Sequence, residues 1–346
     1  MNIKQGAYTG THWEVQKEIR LKRLLPREDT AMAVATKKNP QPSAAQRKGG
    51  SSARKGASSS AAREQAITNE VIARYSKTSD PRMRELMTAL IKHLHGFARD
   101  VRLTTDEWVG ACSYLAMAGE FCKGGRQEFL GVSALLGLET LIHEMSVPKP
   151  KGATLPTVLG PFYVPNSPNF PHGGDLSKGA AGEPLFVSGR VLDMKGKPVA
   201  NASVEAWHSD GRGLYDVQCG DIAKDGMWCR GQLKTDSEGR YSFWSVTPVP
   251  YPAPLDGGMG AIFKRTSNHE WRPAHLHFMV TGKGLAPLIT EIFVRGSKYL
   301  EEDTAFAVRD GLVADFKPNN AGKGPDGREV SKPYRTLDYD FVMTGA

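Results

Sequence analysis

The sequence lacks any long run of apolar residues. None of its 346 residues falls in a stretch approaching the about eighteen consecutive apolar positions that identify a membrane-spanning helix. The apolar segment of a secretory signal peptide is also missing, because the stretch from Lys17 to Arg27 is strongly charged. We therefore expect a cytoplasmic protein with no membrane span.

Cysteine is scarce, with four residues in the whole chain. Their spacing matches neither a zinc site nor the framework of a small disulfide-rich secreted domain. We expect free and mostly buried thiols, as in a reducing cytoplasm. The four residues are Cys112, Cys122, Cys219 and Cys229.

Acidic residues are almost absent between Lys37 and Glu64, where seven basic side chains accompany a single acid. This segment accounts for most of the formal net charge of +8. It is rich in Ser, Ala and Gly and has no apolar periodicity, so it cannot bury enough surface to fold. We predict that residues 1–64 form a disordered basic tail. Without interleaved aromatic residues a solvated linker is favoured over a nucleic-acid or membrane arm, and the near-neutral remainder predicts no specific nucleic-acid partner.

Apolar residues recur at helical spacing between residues 65 and 147. Those from Met83 to Phe97 follow an i, i+3, i+4 pattern, and Asp80–Pro81 is typical of a helix start. Thr104–Thr105 indicates the start of a second helix, and a third is predicted from Gln127 to Met145. This helical N-terminal domain has more apolar surface than a small bundle needs, so part of that surface is expected to pack against the next domain or a second subunit.

Residues 148–346 have the pattern of an all-β domain. Short strands, such as Phe186–Val191 and Val204–Trp207, alternate with turns rich in glycine and aspartate, which predicts a β-sandwich. The fold class is therefore α+β and multidomain, with a helical domain followed by a sandwich. Transthyretin-like modules that only bind other molecules have the same strand pattern, so the fold alone leaves a non-enzymatic function open.

A His-x-His pair, His275 and His277, lies in an apolar run that predicts a β-strand. Residues two apart on a strand share a face, which places these imidazoles roughly 6–7 Å apart and able to chelate one metal ion. Such a pair alone is weak evidence, because ordinary strand histidines and the copper or zinc sites of other sandwich proteins have the same spacing. Two tyrosines precede it, Tyr215 in a glycine-rich loop and Tyr251 in a proline-flanked segment predicted to be rigid and unpaired.

Five motifs together resemble the intradiol ring-cleavage dioxygenases of the catechol/hydroxyquinol 1,2-dioxygenase group. The resemblance extends from Gln65 to the C-terminus. Within the group, VPYPAPLDG and WRPAHLHFM are more similar to the hydroxyquinol branch than to the catechol branch. The motifs are LGPFY (159–163), WHSDGRGLYDVQ (207–218), the segment around Tyr251, WRPAHLHF (271–278) and DTAFAVRDGLV (303–313).

The resemblance implies a non-haem Fe(III), one per subunit, bound by Tyr215, Tyr251, His275 and His277. Fe(III) is a hard Lewis acid for which phenolate oxygens are suitable donors, whereas an Fe(II) oxygenase would use two histidines and one carboxylate. No His-x-Asp/Glu pattern surrounds His275. Two other tyrosines are not assigned as ligands: Tyr241 is expected in the core and Tyr163 near the site.

The implied reaction inserts both atoms of O2 between the two hydroxylated carbons of a catechol-type ring. Hydroxyquinol is the expected substrate, giving maleylacetate through 3-hydroxy-cis,cis-muconate, with catechol or chlorocatechol as alternatives. Tyr251 is expected to leave the metal when the diol binds, and Arg272 to stabilise negative charge on the ring. The family places glutamine where this chain has Glu291, which leaves open how this group takes part in the reaction.

The resemblance also implies a substrate pocket and an oligomer. Small residues at positions 304 and 305 suggest room for a ring substituent. The helical domain is expected to form a homodimer and can enclose a phospholipid. The expected pocket residues are Leu115, Ala118, Val158, Pro161, Phe162, Thr304 and Ala305.

Overall fold

The computed structural model describes residues 52–123, 126–146, 150–220 and 226–346. Residues 1–51 of the predicted tail and the predicted helix-breaking residues 147–149 lie outside these ranges. Two compact units divide the chain, residues 1–97 and 98–346. The domain boundaries at 64/65 and 147/148 stay predictions. Within the described part of the chain, no helix has both the length and the apolar character that crossing a membrane requires.

The first unit contains helix α1 (Ser52–Tyr75), which begins inside the predicted tail, and most of helix α2 (Pro81–Asp100). The predicted start of α2 is present, since the Asp80 carboxylate accepts a hydrogen bond from the Met83 amide at 3.0 Å. The predicted apolar stripe of α2 lies on the surface of the single chain. Its exposed side chains are Met83, Leu86, Leu90, Leu94 and Phe97.

The second unit begins with three helices, α3 (Thr105–Glu120), α4 (Glu128–Leu135) and α5 (Leu138–Ser146). Thr104 and Glu107 form a capping box at the start of α3, as the sequence pattern indicates. The prediction of one helix from Gln127 to Met145 is wrong. Gly137 adopts a φ of +65°, a left-handed conformation that interrupts a right-handed helix, so the segment forms two helices.

Two sheets form a sandwich, which confirms the predicted fold class. In the first sheet the strand order is β1-β5-β2-β14-β11, with β15 also pairing with β2, and in the second it is β10-β9-β8-β3-β4. The strands of the first sheet are β1 (Gly174–Asp175), β2 (Pro184–Asp193), β5 (Arg240–Val246), β11 (Lys317–Asn319), β14 (Tyr334–Asp338) and β15 (Phe341–Met343). Those of the second are β3 (Ser203–Trp207), β4 (Arg230–Lys234), β8 (His275–Thr281), β9 (Leu288–Val294) and β10 (Val313–Ala314).

Shorter elements complete the fold and lie mainly in the connections. Two small ladders pair β6 (Tyr251–Pro252) with β7 (Trp271–Arg272), and β12 (Gly322–Lys323) with β13 (Glu329–Val330). Helix α6 (Gly257–Phe263) lies between β6 and β7, and two single 3-10 turns span Asp216–Gln218 and Asp310–Leu312.

The main hydrophobic core includes the inward side chains of both sheets. Strand β8 contributes Leu276, Phe278 and Val280, each fully buried. Because side chains alternate along a strand, His275 and His277 point away from this core. Tyr241 lies in the core as predicted, and its hydroxyl donates to the Tyr339 carbonyl at 2.7 Å.

The cysteines are free, as predicted, but the expectation that most are buried is wrong. Cys229 is buried, Cys122 is half-buried, and Cys112 and Cys219 are exposed. The two exposed thiols lie on a helix and in a loop, where the sequence has no periodicity that would indicate burial.

Candidate metal centre and active site

Strand β8 lies between β3 and β9, and the register of these strands aligns the site. His277 is opposite Trp207 on one side and Glu291 on the other. The Trp207 indole lies flat against the His277 imidazole, with ring centroids 4.9 Å apart and planes inclined by 3°. Stacking on a large buried ring restricts the rotation of this imidazole, so the sheet itself fixes the orientation of one predicted metal ligand.

Four donor atoms from three segments meet in one buried place. The Tyr215 and Tyr251 hydroxyl oxygens are 3.3 Å apart, and the Tyr251 hydroxyl is 3.4 Å from His275 Nε2. His275 Nε2 is in turn 3.2 Å from His277 Nε2. All four side chains are at most 3% exposed. The structure therefore brings together the four residues predicted as metal ligands, which come from three separate segments of the sequence.

These donor atoms fit a small metal ion. Ligands at about 2.0–2.1 Å from one ion lie roughly 2.9–3.4 Å from each other, and the three measured separations agree with that range. The Pro273 carbonyl lies 2.7 Å from His275 Nδ1 and can only accept, so it favours the tautomer whose Nε2 is free to bind a metal. Two phenol oxygens beside two imidazoles suit a hard, highly charged ion such as Fe(III).

Burial determines the protonation of the metal-free donors. It lowers the pKa of His275 to about 3, with Arg272 adding to the effect, and lowers the pKa of His277 well below its ordinary value. Burial also raises the pKa of Tyr215 well above 10 and raises that of Tyr251. The imidazoles are therefore neutral and ready to coordinate, whereas the phenols need a strongly charged cation to ionise at neutral pH.

Tyr251 is held by a short strand pairing that the sequence analysis did not predict. Tyr251 pairs with Arg272 in the β6–β7 ladder, so the expectation of an unpaired segment is wrong. The flanking prolines lack an amide hydrogen, but Tyr251 has one and can join a ladder. Gly213, with φ +82°, allows this packing, because a Cβ on Gly213 would lie 2.9 Å from the Tyr251 Cβ.

Arg272 lies beside the donor atoms and is held by two carboxylates. Its Nε and Nη2 donate to Asp303 at 2.9 and 3.0 Å, and its Nη1 donates to Glu291 at 2.7 Å. Burial disfavours the charged guanidinium, but the two carboxylates hold the Arg272 pKa well above its ordinary value. A fixed cation therefore lies 3.2 Å from His275 Nε2, measured from Nη1.

Asp303 is the functional residue that sequence reasoning missed. It is buried, and besides Arg272 its carboxylate accepts hydrogen bonds from the backbone amides of Ala305 and Ala307. Burial is the largest single effect and raises the Asp303 pKa, but the charge and hydrogen bonds of Arg272, together with His275 and the Ala305 amide, lower it overall, so Asp303 is ionised at neutral pH. Its position at the start of the DTAFAVRDGLV motif was the available signal.

Glu291 changes one conclusion drawn from the sequence. No carboxylate neighbours the His-x-His pair along the chain, but β9 brings Glu291 Oε1 to 3.5 Å from both His275 Nε2 and His277 Nδ1. Among the described residues these three form a group able to hold a metal ion, so a two-histidine-one-carboxylate set is also present. Burial raises the Glu291 pKa to about 7 against the opposing effect of Arg272, whose hydrogen bond already occupies Oε1.

The predicted pocket residues differ in burial, and one of them packs against a predicted ligand. The Phe162 ring packs against Tyr215, with centroids 4.7 Å apart. Ala118, Val158, Thr304 and Ala305 are also buried and Pro161 is half-buried, whereas Leu115 is 54% exposed. Their role as a substrate pocket stays a prediction. The Tyr163 and Trp207 rings pack edge to face, with centroids 5.1 Å apart, and Trp207 in turn stacks on His277.

Two family models match this chain. The model described as "Dioxygenase" matches residues 158–345, and "Catechol dioxygenase N terminus" matches residues 80–154. The chain is 44% identical over 279 residues to a 6-chlorohydroxyquinol 1,2-dioxygenase of Cupriavidus pinatubonensis, which covers 80% of this chain and 96% of that protein. It is 42% identical to a hydroxyquinol 1,2-dioxygenase of Rhodococcus opacus, over 81% of this chain and 93% of the relative.

The fold of this chain is also similar to that of a solved dioxygenase structure. The hydroxyquinol 1,2-dioxygenase of Pseudomonas putida DLL-E4 superposes with a TM-score of 0.72 at 32% identity, covering 82% of this chain and 99% of the other. The matches include both the helical region and the sandwich that carries the buried Tyr2His2 donor set. The chain thus belongs to the intradiol ring-cleavage dioxygenase family and is an intradiol ring-cleaving dioxygenase.

Proposed function

We propose that this enzyme is a hydroxyquinol 1,2-dioxygenase with one Fe(III) per subunit, bound by Tyr215, Tyr251, His275 and His277. It would insert both atoms of O2 between the two adjacent hydroxylated carbons and give maleylacetate through 3-hydroxy-cis,cis-muconate. Family membership implies non-haem iron. The observation that carries the ligand assignment is the meeting of four buried donor atoms with separations of 3.2–3.4 Å.

The substrate assignment rests on the relatives. Two proteins that cover most of this chain at 42–44% identity are named for hydroxyquinol or its 6-chloro derivative. Catechol and chlorocatechol are the alternatives, and a catechol 1,2-dioxygenase of Candida albicans is 34% identical to this chain. Because the chain belongs to a family of enzymes, a transthyretin-like module that only binds other molecules is no longer favoured.

Tyr215, Tyr251, His275 and His277 would hold the Fe(III), and the ion would supply a Lewis acid that the two adjacent substrate hydroxyls can chelate and that makes the ring reactive toward O2. As the family resemblance implies, the Tyr251 phenolic oxygen would leave the metal and accept one substrate proton as the diol enters. Arg272 faces the same place and stabilises negative charge that develops on the ring, without reorganising, because Asp303 and Glu291 already hold it. Phe162 and Trp207 exclude water from the donor atoms, since both rings are buried against them.

We also propose a cytoplasmic homodimer with room for a phospholipid. The support is the exposed apolar stripe of α2 in the first unit and, separately, exposed apolar residues of α4 and α5 in the second. Several exposed apolar side chains on one helix face are typical of an interaction site. The exposed residues of α4 and α5 are Phe129, Leu138, Leu141, Ile142 and Met145.

The visible absorption spectrum of the purified protein tests the proposal. We expect a tyrosinate-to-Fe(III) band that moves to longer wavelength when hydroxyquinol is added without O2, and a smaller change with catechol. Tyr215→Phe and Tyr251→Phe should each weaken the band. Tyr334→Phe, a buried tyrosine outside the site, is the matched control and should leave it unchanged.

A protein that stays colourless after reconstitution with Fe(III) would overturn the four-ligand assignment. Zinc or copper in the purified protein, without tyrosinate absorption, would instead favour a different His-x-His metal site. A band that responds equally to both diols would leave the ligands intact but contradict the preference for hydroxyquinol.

A further inference from the structure

A buried ion pair lies directly behind one of the two tyrosines. Arg230, the first residue of β4, is 1% exposed and is paired with Trp207 in the sheet. Its Nε donates to Asp216 Oδ2 at 2.7 Å, and its Nη2 donates to Asp216 Oδ1. Nη2 also donates to the Phe162 carbonyl oxygen at 3.1 Å. Among the described residues no hydrogen-bond partner is present for Nη1.

Stability alone gives no reason for a cation at this position. Removing a charged group from water costs several kcal/mol, and a well-packed apolar pair of similar volume is often as stable as a buried ion pair. The Arg230 side chain carries this cost and in addition keeps one buried nitrogen without a partner. We therefore look for the role of Arg230 in the geometry that its hydrogen bonds impose and not in the stability that they add.

Arg230 binds one residue next to Tyr215 in the chain and the backbone of a second residue whose ring packs on Tyr215. Asp216 follows Tyr215 directly and begins the 3-10 turn, where its Oδ1 also accepts a hydrogen bond from the Val217 amide at 2.9 Å. Phe162 belongs to the separate segment whose ring packs on Tyr215. The planar Arg230 guanidinium thus joins the turn that carries Tyr215 to the segment whose ring packs on it. Because its N–H donors have a fixed geometry, they set the distance and the angle between this turn and this segment.

Tyr251 is held in a different way. It pairs with Arg272 in the β6–β7 ladder and packs against Tyr215 and His275. None of the hydrogen bonds of Arg230 reaches the β6 segment. The two tyrosines therefore have separate supports, although their hydroxyl oxygens are only 3.3 Å apart.

We propose that Arg230 is a positioning residue that fixes the ring and hydroxyl of Tyr215 against the metal, with no comparable effect on Tyr251. This inference rests on the proposed assignment of both tyrosines as iron ligands. In this arrangement Tyr215 is a permanent ligand held through a buried ion pair. Tyr251 is a ligand on a short ladder that can move when substrate binds.

The test uses single-tyrosine enzymes, in which the visible band reports one ligand at a time. In a Tyr251→Phe background only Tyr215 gives the band, and in a Tyr215→Phe background only Tyr251 does. Arg230→Met is introduced into both, and the spectrum and the Fe(III) dissociation constant are measured. We expect Arg230→Met to shift the Tyr215 band and to weaken iron binding by about 10-fold to 100-fold, the usual effect of losing a group that orients a ligand. The Tyr251 band should keep its position.

A variant with a less severe change and a matched control complete the design. Asp216→Asn removes the carboxylate at nearly constant shape and should reproduce the Tyr215 effect, so the comparison remains possible where Arg230→Met does not fold. Arg240→Met removes an exposed arginine, the first residue of β5, which is paired with Asp236 in the turn just before that strand, and it should change neither band.

Equal changes of the two bands would overturn the inference, because a loss of general stability affects both tyrosines alike. Unchanged bands in both backgrounds would overturn it as well. If neither Tyr→Phe background alters the absorption of the parent enzyme, the ligand assignment itself is wrong and the positioning role is rejected with it. These results are distinguishable, because the parent backgrounds are measured before Arg230 is changed.

Discussion

Arg272 illustrates how single buried side chains set the chemistry of this site. A guanidinium in a buried place needs compensation, and here Asp303 provides two hydrogen bonds while Glu291 provides a third. The two carboxylates differ in protonation. Asp303 has a lowered pKa, whereas burial raises that of Glu291 to about 7. Asp303 is thus ionised throughout the neutral pH range, whereas Glu291 lies next to Arg272 and both histidines.

Replacing Glu291 by Gln distinguishes the two donor sets. If Tyr215, Tyr251, His275 and His277 hold the iron, Glu291→Gln should leave iron per subunit unchanged, because none of the four ligands is removed. A metal held by the two histidines and Glu291 would instead be bound much more weakly. Iron analysis of the purified variant measures this.

Glu205→Gln is the matched control for this substitution. Glu205 is also a buried glutamate, and it accepts a hydrogen bond from Ser167 rather than contacting the donor atoms. Both variants should contain as much iron as the parent enzyme. Loss of iron in Glu291→Gln alone would contradict the four-ligand set.

His208, which is not among the predicted metal ligands, predicts a pH dependence of stability. Its ring lies 2.8 Å from both the Ser209 carbonyl and the Ser245 hydroxyl, and burial lowers its pKa from 6.5 to about 4. The unfolded chain therefore binds this proton first as the pH falls. The contribution is fully present above pH 6.5 and is lost between pH 6.5 and about 4, for a total of about 3 kcal/mol.

Urea unfolding across this pH window measures the effect. The free energy of unfolding of the parent enzyme should decrease more steeply with falling pH than that of His208→Gln. His93→Gln, at an exposed position on α2, is the matched control for the substitution and should behave as the parent. Identical slopes for parent and His208→Gln would contradict the prediction.

At the scale of elements, strand alternation explains how much of the site was predictable. The two-residue spacing placed His275 and His277 on one face of β8, and the apolar residues between them placed the opposite face in the core. The resemblance supplied the two tyrosines. Glu291 and Asp303 could not be placed by spacing, because their contacts depend on the register between strands and on a loop fold. The break at Gly137 was missed because apolar periodicity continues through it.

The segment before the first strand also shapes the site through one glycine. Gly160 has a φ of +75°, and a Cβ there would lie 3.0 Å from His277 Cε1 and 3.3 Å from Nε2. Gly160→Ala should therefore displace the imidazole in addition to straining the backbone. We expect a loss of about 1–2 kcal/mol in stability from the conformation alone, together with a lower iron content.

Gly284→Ala separates these two effects. Gly284 has the same φ of +75°, but nothing lies within 4 Å of its hypothetical Cβ. It should lose similar stability and keep its iron. Equal iron content in the two variants would show that the contact with His277 has no effect on metal binding.

At the scale of the whole molecule, the apolar stripe of α2 predicts assembly. Leu90 lies in the middle of the stripe and is 55% exposed in the single chain. Leu90→Glu should shift the protein from dimer to monomer in sedimentation velocity, because a charge in an apolar interface is left without a partner. Lys92→Glu introduces the same acidic side chain at an exposed position on the opposite side of the same helix and should leave the dimer intact. A Leu90→Glu protein that remains dimeric would exclude this stripe as the interface.

The register of β8 between β3 and β9 has a consequence for the order of folding. A slip of one residue would exchange the two faces of β8, turning both imidazoles toward the core and Leu276 and Phe278 outward. Such a misaligned chain could collapse around apolar residues and still have no place for an ion. With the proposed ligand set, we therefore expect metal uptake to be a late event that requires the correctly paired sheet, and the appearance of colour during refolding would time the moment at which the strands reach their final alignment.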